Sequence, residues 1–188
     1  MYEVELKAPV HLESIRKQLR AIGAILRDEI DQEDTYYQHP QRDFAETDEA
    51  LRIRAVRNCS ASKESHHQLT YKGPVLDSAS KTRREVETDV SDGAAMSTIL
   101  ENLSFEPVAT VSKRREQWDL EGATVCLDAV ANLGSFVEIE VRVEEDDIKV
   151  GSEIANELLV DLGVAADSVT TDSYLELLLN QSTESDRT

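Results

Sequence analysis

The sequence predicts an α+β fold, an eight-stranded antiparallel β-barrel with a polar lumen and an outer wall covered by amphipathic helices. Three observations carry this expectation. Eight segments alternate polar and apolar residues with the two-residue period of a strand. Short turn-forming links join most of them, which favours antiparallel pairing. The polar face of nearly every segment is charged, where a solvated sheet face would mix in Thr, Ser, Gln and Asn. At 188 residues the chain has the length of one domain with a substantial core. Residues 1–180 are read as that domain and 181–188 as a flexible polar tail.

The first strand is "EVELK" at 3–7, which puts Glu3, Glu5 and Lys7 on one face and Val4 and Leu6 on the other. A helix follows over 11–23, with Leu12, Ile15, Leu19 and Ile22 on one stripe and Gly23 as its stop signal. Then come "DTYYQ" at 34–38, "ALRIRAV" at 50–56, "HQLTYK" at 67–72 and "TRREVETDV" at 82–90. A second helix is expected over 91–103, with Ser91 as its N-cap. Strands "VATVSKRREQWDL" at 108–120, "TVCLDAV" at 124–130 and "SFVEIEVRV" at 135–143 complete the eight. A third helix fits 147–162, and a short last one fits "DSYLELLL".

The charge balance, 38 acidic residues against 20 basic ones for a net charge of −18, repels nucleic acid and anionic membrane surfaces. Neither is an expected partner. Only seven residues are Lys, a composition resembling proteins adapted to high salt, where the Debye length shrinks to about 3 Å at 1 M. No stretch has the length of apolar sequence that spans a bilayer, and the N-terminus lacks a basic-then-apolar signal pattern, so a soluble cytoplasmic protein is expected. Cys59 and Cys126 are too few and too far apart for a disulfide framework or zinc site.

The polar faces hold Glu3, Glu5, Lys7, Asp34, Tyr36, Arg52, Arg54, Lys72, Arg83, Glu85, Lys113, Arg115, Asp128, Glu138 and Glu140. An exterior sheet face is the simplest place for such residues. In a chain that avoids Lys, however, three of its seven lysines fall on these faces, where an exterior adapted to salt should be acidic. Eight strands are about enough to close a barrel around a small ligand, which would turn the charges inward. Carboxylates crowded together suit a hard divalent ion with oxygen ligands, and Glu3, Glu5, Asp128, Glu138 and Glu140 are the candidate ligands. The cations call for an anion rich in oxygen. A metal-bound polyphosphate meets both demands.

These residues resemble the CYTH superfamily of class IV adenylate cyclases and thiamine triphosphatases, whose members fold as a triphosphate tunnel. "EVELK" is similar to its Glu-x-Glu-x-Lys signature. "DTYY", "ALRIR", "LTYKGP", the Arg83, Glu85 and Glu87 triplet, Lys113 with Arg115, and "LGSFVEIE" follow in the family's order. "SYLELLL" resembles the closing segment of the cyclase-like branch. The resemblance implies that Lys7, Arg52, Arg54, Lys72, Lys113 and Arg115 grip the triphosphate, with Arg83 also facing it. It implies Mg²⁺ or Mn²⁺ at the carboxylates, a catalytic pair of Lys72 and Tyr36, and a homodimer as a reasonable assembly. Tyr36 could equally line the barrel without a proton role. The implied reaction is ATP cyclisation to cyclic AMP and pyrophosphate. Hydrolysis of tripolyphosphate, thiamine triphosphate or a nucleoside triphosphate is the alternative, and nonenzymatic binding of polyphosphate or a nucleotide the third. His66 and His67 read as exposed loop histidines, and Trp118 as a packing residue on the apolar side of its strand.

Overall fold

The computed structural model describes residues 2–59, 65–77, 82–120 and 122–185. Along the chain run β1 (Tyr2–Pro9), α1 (Leu12–Ala21), β2 (Ile25–Gln38), α2 (Phe44–Thr47), β3 (Ala50–Asn58), β4 (His66–Asp77) and β5 (Thr82–Val90). Then come α3 (Gly93–Asn102), β6 (Glu106–Leu120), β7 (Ala123–Val130), β8 (Gly134–Val143), α4 (Ile148–Asp161) and α5 (Tyr174–Ser185). All neighbouring strands pair antiparallel and close into a barrel in the order β1-β5-β4-β3-β2-β6-β7-β8.

Closure fixes what each strand face means. Val4, Leu6, Trp118, Val125, Leu127, Val137 and Ile139 point outward and are buried against α1 and α4, whose Leu19, Ala155, Leu159 and Leu162 are equally buried. Each large side chain moved from water into such a layer contributes about 1.5–3 kcal/mol. Helix α4 lies close to the wall because position 151 is Gly: a Cβ there would stand 3.0 Å from Val143 and 3.1 Å from Val4. A second apolar layer, Tyr37, Phe44, Leu51, Ile53 and Leu100, lies under α2 and α3.

Among the boundaries that differ from the sequence expectation are those of β2, α3 and α5. Strand β2 begins at Ile25, nine residues before "DTYYQ", because its outer face there carries Glu29, Asp31 and Glu33, which blur the apolar period. Helix α3 is capped by Asp92 and not Ser91: the Asp92 carboxylate accepts from Ala95 N at 3.0 Å, and its charge suits a helix N-terminus. Helix α5 runs on to Ser185, so the expected tail overlaps it, while 186–188 lie outside the described residues. So does 60–64 of the Ser-rich hairpin. No helix among the described residues is long and apolar enough to cross a membrane.

Candidate active site in the barrel lumen

The inward faces enclose a cavity of about 470 Å³. Glu3, Glu5, Lys7, Tyr36, Arg52, Arg54, Lys72, Arg83, Lys113, Arg115, Glu138 and Glu140 all line it. Asp128 does not. It is fully buried behind Arg115, which grips both its oxygens at 2.7 and 2.6 Å.

Strand register explains who meets whom. Asp34 on β2 stands opposite Arg54 on β3, and Tyr36 opposite Arg52. Arg54 forks onto Asp34 at 2.6 and 2.7 Å, and Arg52 reaches the same carboxylate at 3.5 Å. Burial alone would raise the Asp34 pKa; Arg54 and Arg52 override it and hold the group far below the ordinary carboxylate range. Among the described residues, Arg52 Nε on β3 and Gln32 Oε1 on β2 are buried without a hydrogen-bond partner.

On the other side of the lumen β1 lies against β8, with Glu5 opposite Glu140 and Lys7 opposite Glu138. Lys7 Nζ is 3.1 Å from Glu5 and 3.1 Å from Glu138. Arg115 reaches Glu140 at 3.0 Å and also contacts Glu138. Lys72 sits 2.8 Å from Glu85 and 3.9 Å from Glu3. Burial would lower its pKa, but Glu85 raises it on balance, so Lys72 stays an ammonium. Arg83 donates to the Asp48 carbonyl at 2.9 Å, at the rim.

Glu3 is the outlier of this wall. Burial and then the neighbouring Glu140 carboxylate push it up to about 7, although Lys72 pulls the other way. Glu5 lies close by and burial would raise it too, yet Lys7 and Lys72 together bring it down to about 2.

The oxygen donors of Glu3, Glu5, Glu138 and Glu140, gathered on one wall of the lumen, suit a hard divalent cation. Among the described residues no three Asp, Glu, His or Cys side chains already converge as a metal-holding group. His66 faces Asp89 at 2.8 Å. Cys126 points into the lumen 3.7 Å from Glu140, and burial pushes its thiol well above the ordinary range.

Several lumen residues were not singled out from the sequence, Gln32 and Tyr174 among them. On β6, β7 and β8 the inward face turns apolar at Val111, Val130 and Phe136, and there Tyr174, Leu177 and Leu178 of α5 pack as a stopper. Tyr174 donates its hydroxyl to Asp128 Oδ2 at 2.9 Å. Lys7 and Lys113 place their ammoniums 4.4 and 4.9 Å from the centre of its ring. The sequence reading took "SYLELLL" as a short helix resembling the closing segment of the cyclase-like branch and gave Tyr174 no place in the lumen. The available signal was the loss of charge at Val111, Val130 and Phe136, inward positions that need an apolar partner.

A closed antiparallel barrel whose lumen pairs cations with carboxylates defines a class, the tunnel proteins that enclose a charged ligand. The chain belongs to the CYTH family: the CYTH domain model matches residues 1–174. A Methanocaldococcus jannaschii protein, provisionally named an adenylate cyclase, is 36% identical over 180 residues, 94% of this chain and 98% of its own. A solved protein of Pyrococcus horikoshii superposes with a TM-score of 0.87 at 41% identity, covering 95% of this chain and 99% of its own. A conserved hypothetical protein of Pyrococcus furiosus superposes at 0.80 with 29% identity, covering 93% of this chain and 99% of its own.

Proposed function

We propose that the chain is a divalent-metal-dependent enzyme acting on triphosphates, and that its reaction is the cyclisation of ATP to cyclic AMP and pyrophosphate. The observation that carries this is the unpartnered Arg52 Nε in a lumen lined by further cations. A buried donor left unsatisfied costs about 1–3 kcal/mol, which an anionic oxygen in the cavity would recover. Family membership and the name of the Methanocaldococcus relative favour the cyclase.

In this reading Lys7, Arg52, Lys72 and Lys113 contact the triphosphate directly, while Arg54 and Arg115 stay forked on Asp34 and Asp128 and supply charge from one layer behind. Glu3, Glu5, Glu138 and Glu140 would hold Mg²⁺ or Mn²⁺, which when bound supplies positive charge to polarise phosphate oxygens. The ribose 3′-oxygen attacks the α-phosphorus and the bond to pyrophosphate breaks. Lys72, kept as an ammonium by Glu85, stabilises charge on the phosphates and does not act as a base. Tyr36, on the Arg52 side of the lumen, is the candidate to contact the attacking group.

The test is a panel of ATP, tripolyphosphate and thiamine triphosphate with Mg²⁺ and Mn²⁺, assayed for cyclic AMP, pyrophosphate and orthophosphate at low and high salt. Cyclic AMP with stoichiometric pyrophosphate is the expected result. Orthophosphate without cyclic AMP would assign hydrolysis instead, and binding without any product would assign a nonenzymatic module.

A further inference from the structure

We propose that the ring of Tyr174 positions the phosphate grip, attracting the Lys7 and Lys113 ammoniums across the lumen and, at Lys113, leaving the hydrogen-bond donors available to a ligand. This rests on the triphosphate reading above. Lys7 stands on β1 and Lys113 on β6, two strands that β8 and β7 separate around the barrel. The phenol ring reaches both ammoniums, at 4.4 and 4.9 Å, and joins the two walls. It comes from a helix, so no strand register places it. A separate set of contacts does.

The segment leading into α5 is stitched to β1 at Lys7. Thr170 N donates to the Lys7 carbonyl at 2.8 Å, and Lys7 Nζ donates to the Asp172 carbonyl at 3.4 Å. Two residues on, the Tyr174 hydroxyl is anchored on Asp128 and its ring edge on Phe136, at 5.2 Å between ring centres. Tyr174 is thus fixed at the boundary between the apolar stopper and the charged lumen.

What the ring does there follows from how a cation can be compensated. A carboxylate that balances a buried ammonium also accepts one of its N–H groups, whereas an aromatic face attracts the charge and leaves the donors available. Lys113 is the telling case. It is 6% exposed, and its Asp128 partner stands at 3.6 Å, beyond hydrogen-bond length. Arg115 takes the same Asp128 oxygen at 2.6 Å and the Tyr174 hydroxyl takes it at 2.9 Å. Asp128 is therefore occupied, and the ring supplies attraction that keeps Lys113 in place as a donor for an incoming phosphate oxygen. A preorganised donor loses less freedom on binding.

Calorimetry of tripolyphosphate binding to the full chain, as wild type, Tyr174→Phe and Tyr174→Leu, tests this, with Leu177→Ala as a variant that loosens the apolar stopper and keeps the Phe136 and Asp128 anchors of the ring. Tyr174→Phe keeps the ring and should bind within about twofold of wild type, whereas Tyr174→Leu should bind roughly tenfold more weakly or worse. Leu177→Ala should lower the melting temperature yet leave the affinity near wild type. Equal affinity in wild type and Tyr174→Leu would overturn the proposal, as would a loss in Tyr174→Phe as large as in Tyr174→Leu. An affinity loss in Leu177→Ala matching that in Tyr174→Leu would assign the effect to packing and overturn it too. A wild-type chain that takes up no tripolyphosphate removes the triphosphate reading and this proposal together. Should Tyr174→Leu fail to fold, the carbon–proton spectrum of wild type decides: the Lys7 and Lys113 ε-methylenes should be shifted upfield by the ring and should move on adding tripolyphosphate. Lysine ε-methylenes all at their ordinary positions would sink the idea.

Discussion

Strand β2 carries the same chemical unit on both of its faces. Outside, Asp31 lies between Arg57 and Arg114, each at 2.9 Å. Inside, three residues along, Asp34 lies between Arg54 and Arg52. The Asp31 side chain is 28% exposed and its arginines 60% and 65%, whereas the Asp34 side chain is 1% exposed and its arginines 9% each. Identical partners in two solvents make burial the variable. The outer triad is screened by water and salt, whereas losing the inner carboxylate leaves buried charge without compensation.

The most severe break of this comparison is therefore Asp34→Ala. It strands two buried guanidinium groups, and removing one partner of a buried ion pair costs about 3–5 kcal/mol. Urea unfolding should show a loss of that order, partly restored by tripolyphosphate, whose oxygens would replace the missing carboxylate. An unchanged midpoint would mean that water reaches this part of the lumen.

Next in size is the split between the two inner arginines. Arg54 is forked on Asp34, so Arg54→Ala should fall mainly on stability. Arg52 stands 3.5 Å from Asp34 and 3.8 Å from Glu85, and its Nε has no hydrogen-bond partner among the described residues, so Arg52→Ala should fall mainly on ligand. Loss of one charged hydrogen bond corresponds to roughly 1.5–3 kcal/mol of tripolyphosphate binding, about tenfold to a hundredfold. Calorimetry and unfolding of both variants would show whether the loads are divided this way. Equal behaviour in both assays would erase the distinction.

How far the sequence reveals this site depends on which interactions leave a periodic trace. Alternation in "EVELK", "ALRIR" and "FVEIE" marks which side chains share a face, because a strand's geometry forces it. Closure is legible too, since lysines and arginines gathered on the polar faces of so acidic a chain fit a lumen better than an exterior. Partner choice is not: Arg52 and Arg54 look alike in sequence, and only register makes one a fork on Asp34 and leaves the other with a free donor. Tyr174 is hidden for a different reason. An aromatic residue in "SYLELLL" carries the signature of any amphipathic helix, and nothing local says that the helix plugs a barrel.

A smaller effect separates two acids of the lumen by pH. Glu3 titrates near 7 in the folded chain, above the ordinary carboxylate value, so between about 4.5 and 7 the folded state holds a proton that the unfolded state has released. Its contribution therefore costs stability as pH rises through that window. Glu5, at about 2, behaves oppositely: its contribution is present above about 4.5 and is lost as pH falls toward 2. Melting temperatures of wild type and Glu3→Gln without metal, measured from pH 5 to 7.5, should converge at the acid end and separate at the neutral end, with the variant higher. Parallel curves would show that neither burial nor Glu140 raises Glu3.

The smallest effect returns to the outer face. Arg57→Ala removes one arm of the Asp31 triad, but Asp31 keeps Arg114 at 2.9 Å and water solvates whatever is freed. Exposed pairs of this kind contribute about 0.2–1 kcal/mol, and with a second cation retained the change should stay within about 0.5 kcal/mol. At 1 M salt, where the Debye length is about 3 Å, the change should shrink further. The chain's charge of −18 makes this a sharp test, since deleting any cation also adds to self-repulsion across the whole surface. Unfolding of Arg57→Ala at low and high salt separates the two contributions: the long-range repulsion vanishes at 1 M, and what remains is the local pair. A residual loss approaching that of Asp34→Ala would mean that the outer triad is as dependent on its members as the inner one, and that burial is not what distinguishes the two faces of β2.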